Sequence, residues 1–176
     1  MVDVQVGVME GTWNAVEVLN NIAKVVEEAR ANRVPVVWIQ HDDDELVQGS
    51  SEWKIVPSLV PLGEEQILPK KFNSAFEDTS LQQVLEGHGA THIVLAGAAT
   101  NWCIRATAYG ALERGYDLTL VKDAHTTEDI DMGDGTPILA RDIVSELNVV
   151  MNWVSYRDRN NSVAAASEVE FKSAAT

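Results

Sequence analysis

The sequence is short of sulfur, of basic side chains and of long apolar runs, and each shortage removes a class of function. A single cysteine, Cys103, in 176 residues leaves no internal disulfide framework and no cysteine-based zinc site. Lysine and arginine number 13 against 27 aspartates and glutamates, a formal charge of −14. That balance argues against nucleic-acid or anionic-membrane partners, both of which need clustered basic side chains. No apolar run reaches the ~18 residues of a membrane span. The first residues carry neither the basic nor the apolar segment of a secretory signal, so a cytoplasmic location is expected. No repeat and no Pro/Gly/Ser-rich linker divides the chain, and a single domain over residues 1–176 is expected. What remains is an ordinary globular balance, 45% hydrophobic and 23% charged, in a chain long enough to bury a core.

Short β-rich runs alternate with longer helical patterns. Met1-Val2-Asp3-Val4 reads as the end of an apolar strand. From Trp13 to Arg33, Val18, Leu19, Ile22, Val25, Val26 and Ala29 recur at three- and four-residue steps, the period of an amphipathic helix. A β-branched strand follows over Val34–Gln40, a polar loop from His41 to Glu65, and a short strand over Gln66–Lys70. Asp78 or Thr79 caps a helix through Glu86, ended by Gly87 or Gly89. His92–Gly97 is a buried-type strand, Asn101–Arg114 a helix stopped by Gly115, and Asp117–Asp123 the fifth strand. A last helix runs from about Ile138 to Val154, and the tail from Ser162 to Phe171 supplies a sixth strand. Strands alternating with helices imply right-handed crossovers and a mostly parallel, doubly wound α/β sheet with helices on both faces.

In such a sheet the reactive crevice lies beyond the carboxyl ends of the strands. Asp3 ends the first strand, Gln40-His41 the second and Lys70 the third, while Cys103 follows the fourth. A carboxylate, an ammonium and the only thiol therefore share one edge. Cys103 falls in the first turn of a helix, where free N–H groups and the helix dipole favour a thiolate and could bind an oxyanion. Lys70 would lower the thiol pKa further, and Asp3 could take the thiol proton and return it to a leaving amine. The bland readings stand beside this one. A lone cysteine is commonly a small buried apolar residue, Asp3 a strand-end cap, and Lys70 beside Lys71 a solvated pair.

The order of several motifs separates these readings. Asp3-Val-Gln5, Lys70-Lys-Phe-Asn-Ser-Ala-Phe-Glu-Asp-Thr79-Ser-Leu81, Gly97-Ala-Ala-Thr-Asn-Trp-Cys103-Ile, Ala111-Leu-Glu-Arg-Gly-Tyr116 and Asp123-Ala124 together resemble the isochorismatase-like cysteine hydrolases, from Asp3 to the last helix. The resemblance implies a six-stranded parallel sheet and a catalytic set of Asp3, Lys70 and Cys103; no cofactor is expected. It also implies a non-proline cis peptide at Ala98–Ala99, with the Ala99 and Cys103 N–H groups aimed at one oxyanion. Two features depart from the family pattern. Only Met1 and Val2 precede Asp3, which places the aspartate near a fraying end. Val8 stands where relatives carry an aromatic.

The expected reaction is hydrolysis of a small amide or related C–N bond through a Cys103 thioester. Vinyl-ether cleavage of the isochorismate type, with Asp3 as the acid, is the alternative within the family. A catalytically silent binding or scaffold protein is the alternative outside it. Gln5, His41, Trp102 and His125 are candidate substrate contacts, whereas Trp13 and Trp53 read as core or interface aromatics and His88 and His92 as structural. His41 is followed by Asp42-Asp-Asp-Glu45 with no second histidine close by, so the acidic run reads as solvated and no metal is expected. The partners expected are a small-molecule substrate and further copies of the chain, as a dimer or tetramer.

Overall fold

The computed structural model describes residues 1–171. In chain order the elements are α1 (Val6–Met9), α2 (Ala15–Ala31), β1 (Val37–His41), β2 (Gln66–Lys70), α3 (Leu81–Gly87), β3 (His92–Ala98), a π-helical turn (Thr100–Ile104), α4 (Arg105–Glu113), β4 (Asp117–Thr126), α5 (Ala140–Trp153) and β5 (Asn161–Ala164). Strand β1 pairs with β2, β3 with β4, and β4 with β5, all in parallel. Val2 bridges both Ile39 of β1 and Gly97 of β3, again in parallel, and so joins the two halves. The expected first strand is thus one bridging residue rather than a ladder. The order across the sheet is β2, β1, the Val2 segment, β3, β4, β5, and the direction of winding reverses between the Val2 segment and β3. That reversal is the switch point where open α/β sheets bind ligands.

Both faces of the sheet are covered. Alternate strand residues divide between two apolar clusters, as a two-residue period demands. Trp38, Ala96 and Val121 pack with Val18, Ile22, Val25, Val26 and Ala29 of α2. Ile39, Leu95, Leu118 and Leu120 face Leu81 of α3, Ala108 and Leu112 of α4, and Leu147 and Met151 of α5. Each buried Val, Leu or Ile contributes about 1.5–3 kcal/mol by leaving water, so the faces of α2 and α5 hold the crossovers against the sheet. The helix expected over Asn101–Arg114 exists, but its first turn is π rather than α. The short helix α1 had no periodic signal, because four residues make only one turn. Among the described residues no helix is long and apolar enough to cross a membrane.

A cavity of about 670 Å³ opens at the amino-terminal ends of the strands, between residues such as Val25, Ala29, Leu81 and Leu85. None of Asp3, Lys70 and Cys103 lines it, so it lies apart from the edge where the chemistry-bearing side chains gather.

Candidate active site

Asp3 is clamped rather than frayed. Val2 N–H donates to the Ala96 carbonyl (2.9 Å), Asp3 N–H to the Ile39 carbonyl (2.9 Å), and Ala98 N–H back to the Val2 carbonyl (2.9 Å). Bonds to a strand on each side hold a segment too short to form its own ladder. The backbone at Asp3 then turns into the left-handed region, with φ of 50°. Aspartate tolerates that conformation better than most residues, and the turn ends the strand at the carboxylate. Gly97 makes the clamp possible. Its φ is +132°, and a Cβ there would lie 1.9 Å from the Val2 carbonyl oxygen, so only glycine lets β3 approach this closely.

Lys70 comes from the last residue of β2, whose parallel register places it opposite His41 at the end of β1. The loop beyond it is tied down by Ala75 N–H donating to Thr107 Oγ1 (3.0 Å) and by Thr79 Oγ1 donating to the Ala75 carbonyl (2.6 Å). Cys103 sits in the π-helical turn. The amides of Trp102 and Ile104 both return to the Ala99 carbonyl, each at 3.1 Å, and the Ala98–Ala99 peptide bond before the turn is cis.

These three distant stretches meet. Lys70 Nζ lies 2.7 Å from Asp3 Oδ2 and 3.1 Å from Cys103 Sγ, with the Asp3 and Lys70 side chains 1% and 0% exposed. A carboxylate–ammonium pair this deep survives only because the partners are close and further bonded. Asp3 Oδ2 is satisfied by Lys70, Oδ1 is buried with no hydrogen-bond partner, and the carboxyl group as a whole interacts with the Cys103 thiol.

The electrostatics differ from the expectation of a helix-activated thiolate. Burial first, and the Asp3 charge second, push the Cys103 thiol up to about 12 against the opposing pull of Lys70. Burial likewise raises the Asp3 carboxyl above its usual range, with Lys70 working against it. Cys103 therefore rests as a thiol, because low dielectric disfavours a second anion beside Asp3.

The candidate substrate contacts separate. Trp102 and Phe72 are exposed, at 58% and 52%, one beside Cys103 and the other two residues beyond Lys70. Gln5 is fully buried. Its Nε2 donates to the carbonyls of His41 and Trp53 (2.9 Å each), and its Oε1 accepts from the His41 N–H (2.7 Å). Gln5 is thus a strut holding the end of β1, not a substrate contact. His41 turns both ring nitrogens to the protein: Nδ1 lies 3.0 Å from Lys70 Nζ and Nε2 3.0 Å from Asp43 Oδ2. His125 is also corrected. It is fully buried, with Nδ1 on Thr100 Oγ1 (2.9 Å) and Nε2 on Asn148 Oδ1 (3.0 Å). Asn148 spends its amide hydrogens on the Lys122 carbonyl, so its oxygen faces the ring, Nε2 carries the ring proton, and Nδ1 accepts from Thr100. Desolvation lowers the His125 pKa to about 4, and the ring supports the turn from behind. Asn148 carried no signal that spacing or motif could show. Gly97, a lone glycine inside a strand pattern, carried the ordinary signal of close backbone approach.

Relatives with the same architecture are known. The Isochorismatase domain matches residues 1–135. The secreted isochorismatase effector Isc1 of Verticillium dahliae is 30% identical over 144 residues, covering 80% of this chain and 76% of that protein. Maleamate amidohydrolase of Pseudomonas putida is 30% identical over 123 residues, covering 63% of this chain, which spans only 58% of that longer protein. In three dimensions, a cysteine hydrolase from Pseudomonas syringae pv. phaseolicola superposes with a TM-score of 0.86 at 20% identity, over 95% of this chain and 87% of that one. With a family match over more than half its length and the fold to go with it, this chain belongs to the isochorismatase family and is a hydrolase.

Proposed function

We propose that the protein hydrolyses a small amide or related C–N bond through a thioester on Cys103, with Asp3 as proton carrier and Lys70 as the fixed countercharge. The observation that carries this reading is the contact of Lys70 Nζ with both Asp3 (2.7 Å) and Cys103 (3.1 Å) in a buried site. Support comes also from the amidohydrolase among the relatives. Cys103 Sγ attacks the substrate carbonyl carbon while its proton passes to the neighbouring Asp3 carboxylate, and the carbonyl π pair moves to oxygen. The backbone N–H groups of Ala99 and Cys103 receive that oxyanion, the usual means of stabilising acyl-transfer intermediates. The oxyanion collapses, the C–N bond breaks, and Asp3 returns the proton to the departing nitrogen. Asp3 then takes a proton from water as it attacks the thioester, releasing the acid and restoring the thiol. Lys70 keeps the carboxylate charged enough to act as a base in a site whose burial alone would neutralise it.

The test is a panel of small amides and ureides assayed for ammonia or amine release, with mass spectrometry of the quenched enzyme. Wild type should release amine and carry an acyl adduct on Cys103, and Cys103→Ala should do neither. Amine release that survives Cys103→Ala overturns the reading. The raised carboxyl of Asp3 favours one second reading, in which Asp3 acts as an acid that protonates a vinyl ether. Pyruvate release from isochorismate, independent of Cys103, identifies it.

A further inference from the structure

Lys70 has more acceptors than hydrogens. An ammonium carries three N–H bonds, and four acceptors surround Nζ: Asp3 Oδ2 at 2.7 Å, His41 Nδ1 at 3.0 Å, the Phe72 carbonyl at 3.1 Å and Cys103 Sγ at 3.1 Å. Asp3 keeps one hydrogen, being charged and nearest. The Phe72 carbonyl keeps a second as a fixed backbone dipole. His41 Nδ1 and Cys103 Sγ compete for the third. A neutral imidazole nitrogen is a better acceptor than a thiol sulfur, so His41 wins while Cys103 is protonated. Asp43 fixes that outcome. Its Oδ2 takes the Nε2 proton of His41 at 3.0 Å, and its Oδ1 is anchored by the amides of Glu45 and Leu46, so Nδ1 is the nitrogen left to accept.

We propose that His41, oriented by Asp43, is a positioning residue that withholds one Lys70 hydrogen from Cys103 and so keeps the nucleophile a thiol at rest. The charged and titratable groups facing this arrangement are Asp3, Lys70, Cys103 and Asp43. Any event that takes Nδ1 away from Lys70 turns the third N–H onto sulfur and stabilises the thiolate, because charge-assisted bonds are the stronger ones. The inference rests on Cys103 being the nucleophile, yet its readout is the thiol and not turnover. If catalysis failed to require Cys103, the functional reading would fall while the thiol measurement still stood.

The experiment uses the intact chain, whose single cysteine makes labelling unambiguous. The rate of alkylation by iodoacetamide and the isotope-labelled cysteine Cβ resonance are followed from neutral to strongly alkaline pH, because burial pushes the thiol up to about 12. His41→Leu fills the space without an acceptor. It should accelerate alkylation by about tenfold or more, one pKa unit, and move the Cβ titration downward. His41→Asn restores an oxygen near the Nδ1 position and should stay within about threefold of wild type, less than half a unit. Asp43→Asn, which releases the tautomer, should fall between them. Equal rates for His41→Leu and wild type, or equal acceleration by His41→Leu and His41→Asn, overturn the proposal, the second because it marks improved access to the sulfur rather than a freed hydrogen. If His41→Leu does not fold, the comparison of Asp43→Asn with wild type decides alone, and no shift in the Cβ titration overturns it.

Discussion

At the residue scale, the site is one charge balance shared by three side chains. Removing Lys70 leaves the Asp3 carboxylate buried without a partner, which costs about 3–5 kcal/mol. Lys70→Met should therefore lower the thermal midpoint and reduce kcat/KM by at least about a hundredfold, the scale of losing a buried electrostatic stabiliser. Paired melting and steady-state measurements check both. The pH profile follows from Asp3. In the proposed reaction its carboxyl must be ionised to take the thiol proton, and burial raises its pKa from 3.8, so the acid limb of kcat/KM should turn above that value. An inflection at or below 3.8 would mean that another group acts as base. Asp3, Lys70 and Cys103 were legible in the sequence from strand ends and motif order. The protonation state of Cys103 was not, because the helix turn favours a thiolate while burial and Asp3 oppose it more strongly.

At the element scale, a one-residue bridge does the work of a strand. Val2 takes its hydrogen bonds from β1 and β3, and Gly97 permits the approach. Gly97→Ala sets a methyl against the Val2 carbonyl and forces a positive φ on alanine. It should cost about 2–4 kcal/mol and displace Asp3 from Lys70. Loss of activity with helix content retained in circular dichroism is the expected result, and near-native turnover would refute the clamp. The helices were the most readable elements, since α2 and α5 bury Val18, Ile22, Val25, Ile143 and Leu147 at helical spacing. The π-helical turn was not readable, because apolar periodicity cannot distinguish a five-residue ring from a four-residue one over a single turn.

For the molecule as a whole, stability should fall in mild acid. His125 is buried and neutral with a pKa near 4, against 6.5 when exposed. Between those values the unfolded chain binds a proton that the folded one does not, so stability is full above 6.5 and declines as pH drops toward 4. A shift of that size is linked to about 3 kcal/mol. Glu65 acts in the same sense lower down. Bonds from Arg30, Trp38 and the Leu62 amide outweigh its desolvation and hold it at about 2 against 4.5, so its contribution is lost below 4.5. Asp3, whose pKa is raised, works in the opposite sense from 3.8 upward. Thermal midpoints of wild type and His125→Gln across pH 4 to 6.5 isolate the histidine: the variant's slope should be flatter, and parallel slopes would remove His125 as the cause.

The sequence by itself determined the alternation of strands and helices, the apolar faces that bury them and the edge of the sheet to which Asp3, Lys70 and Cys103 belong. Those features are local: periodicity, capping and strand length depend on near neighbours. Tertiary structure alone decided that Gln5 and His125 serve as struts, that His41 turns to Lys70, and that the cysteine rests as a thiol. Each of those outcomes depends on distances between residues far apart in the chain and on the dielectric around them, and neither is written in the spacing of residues along one segment.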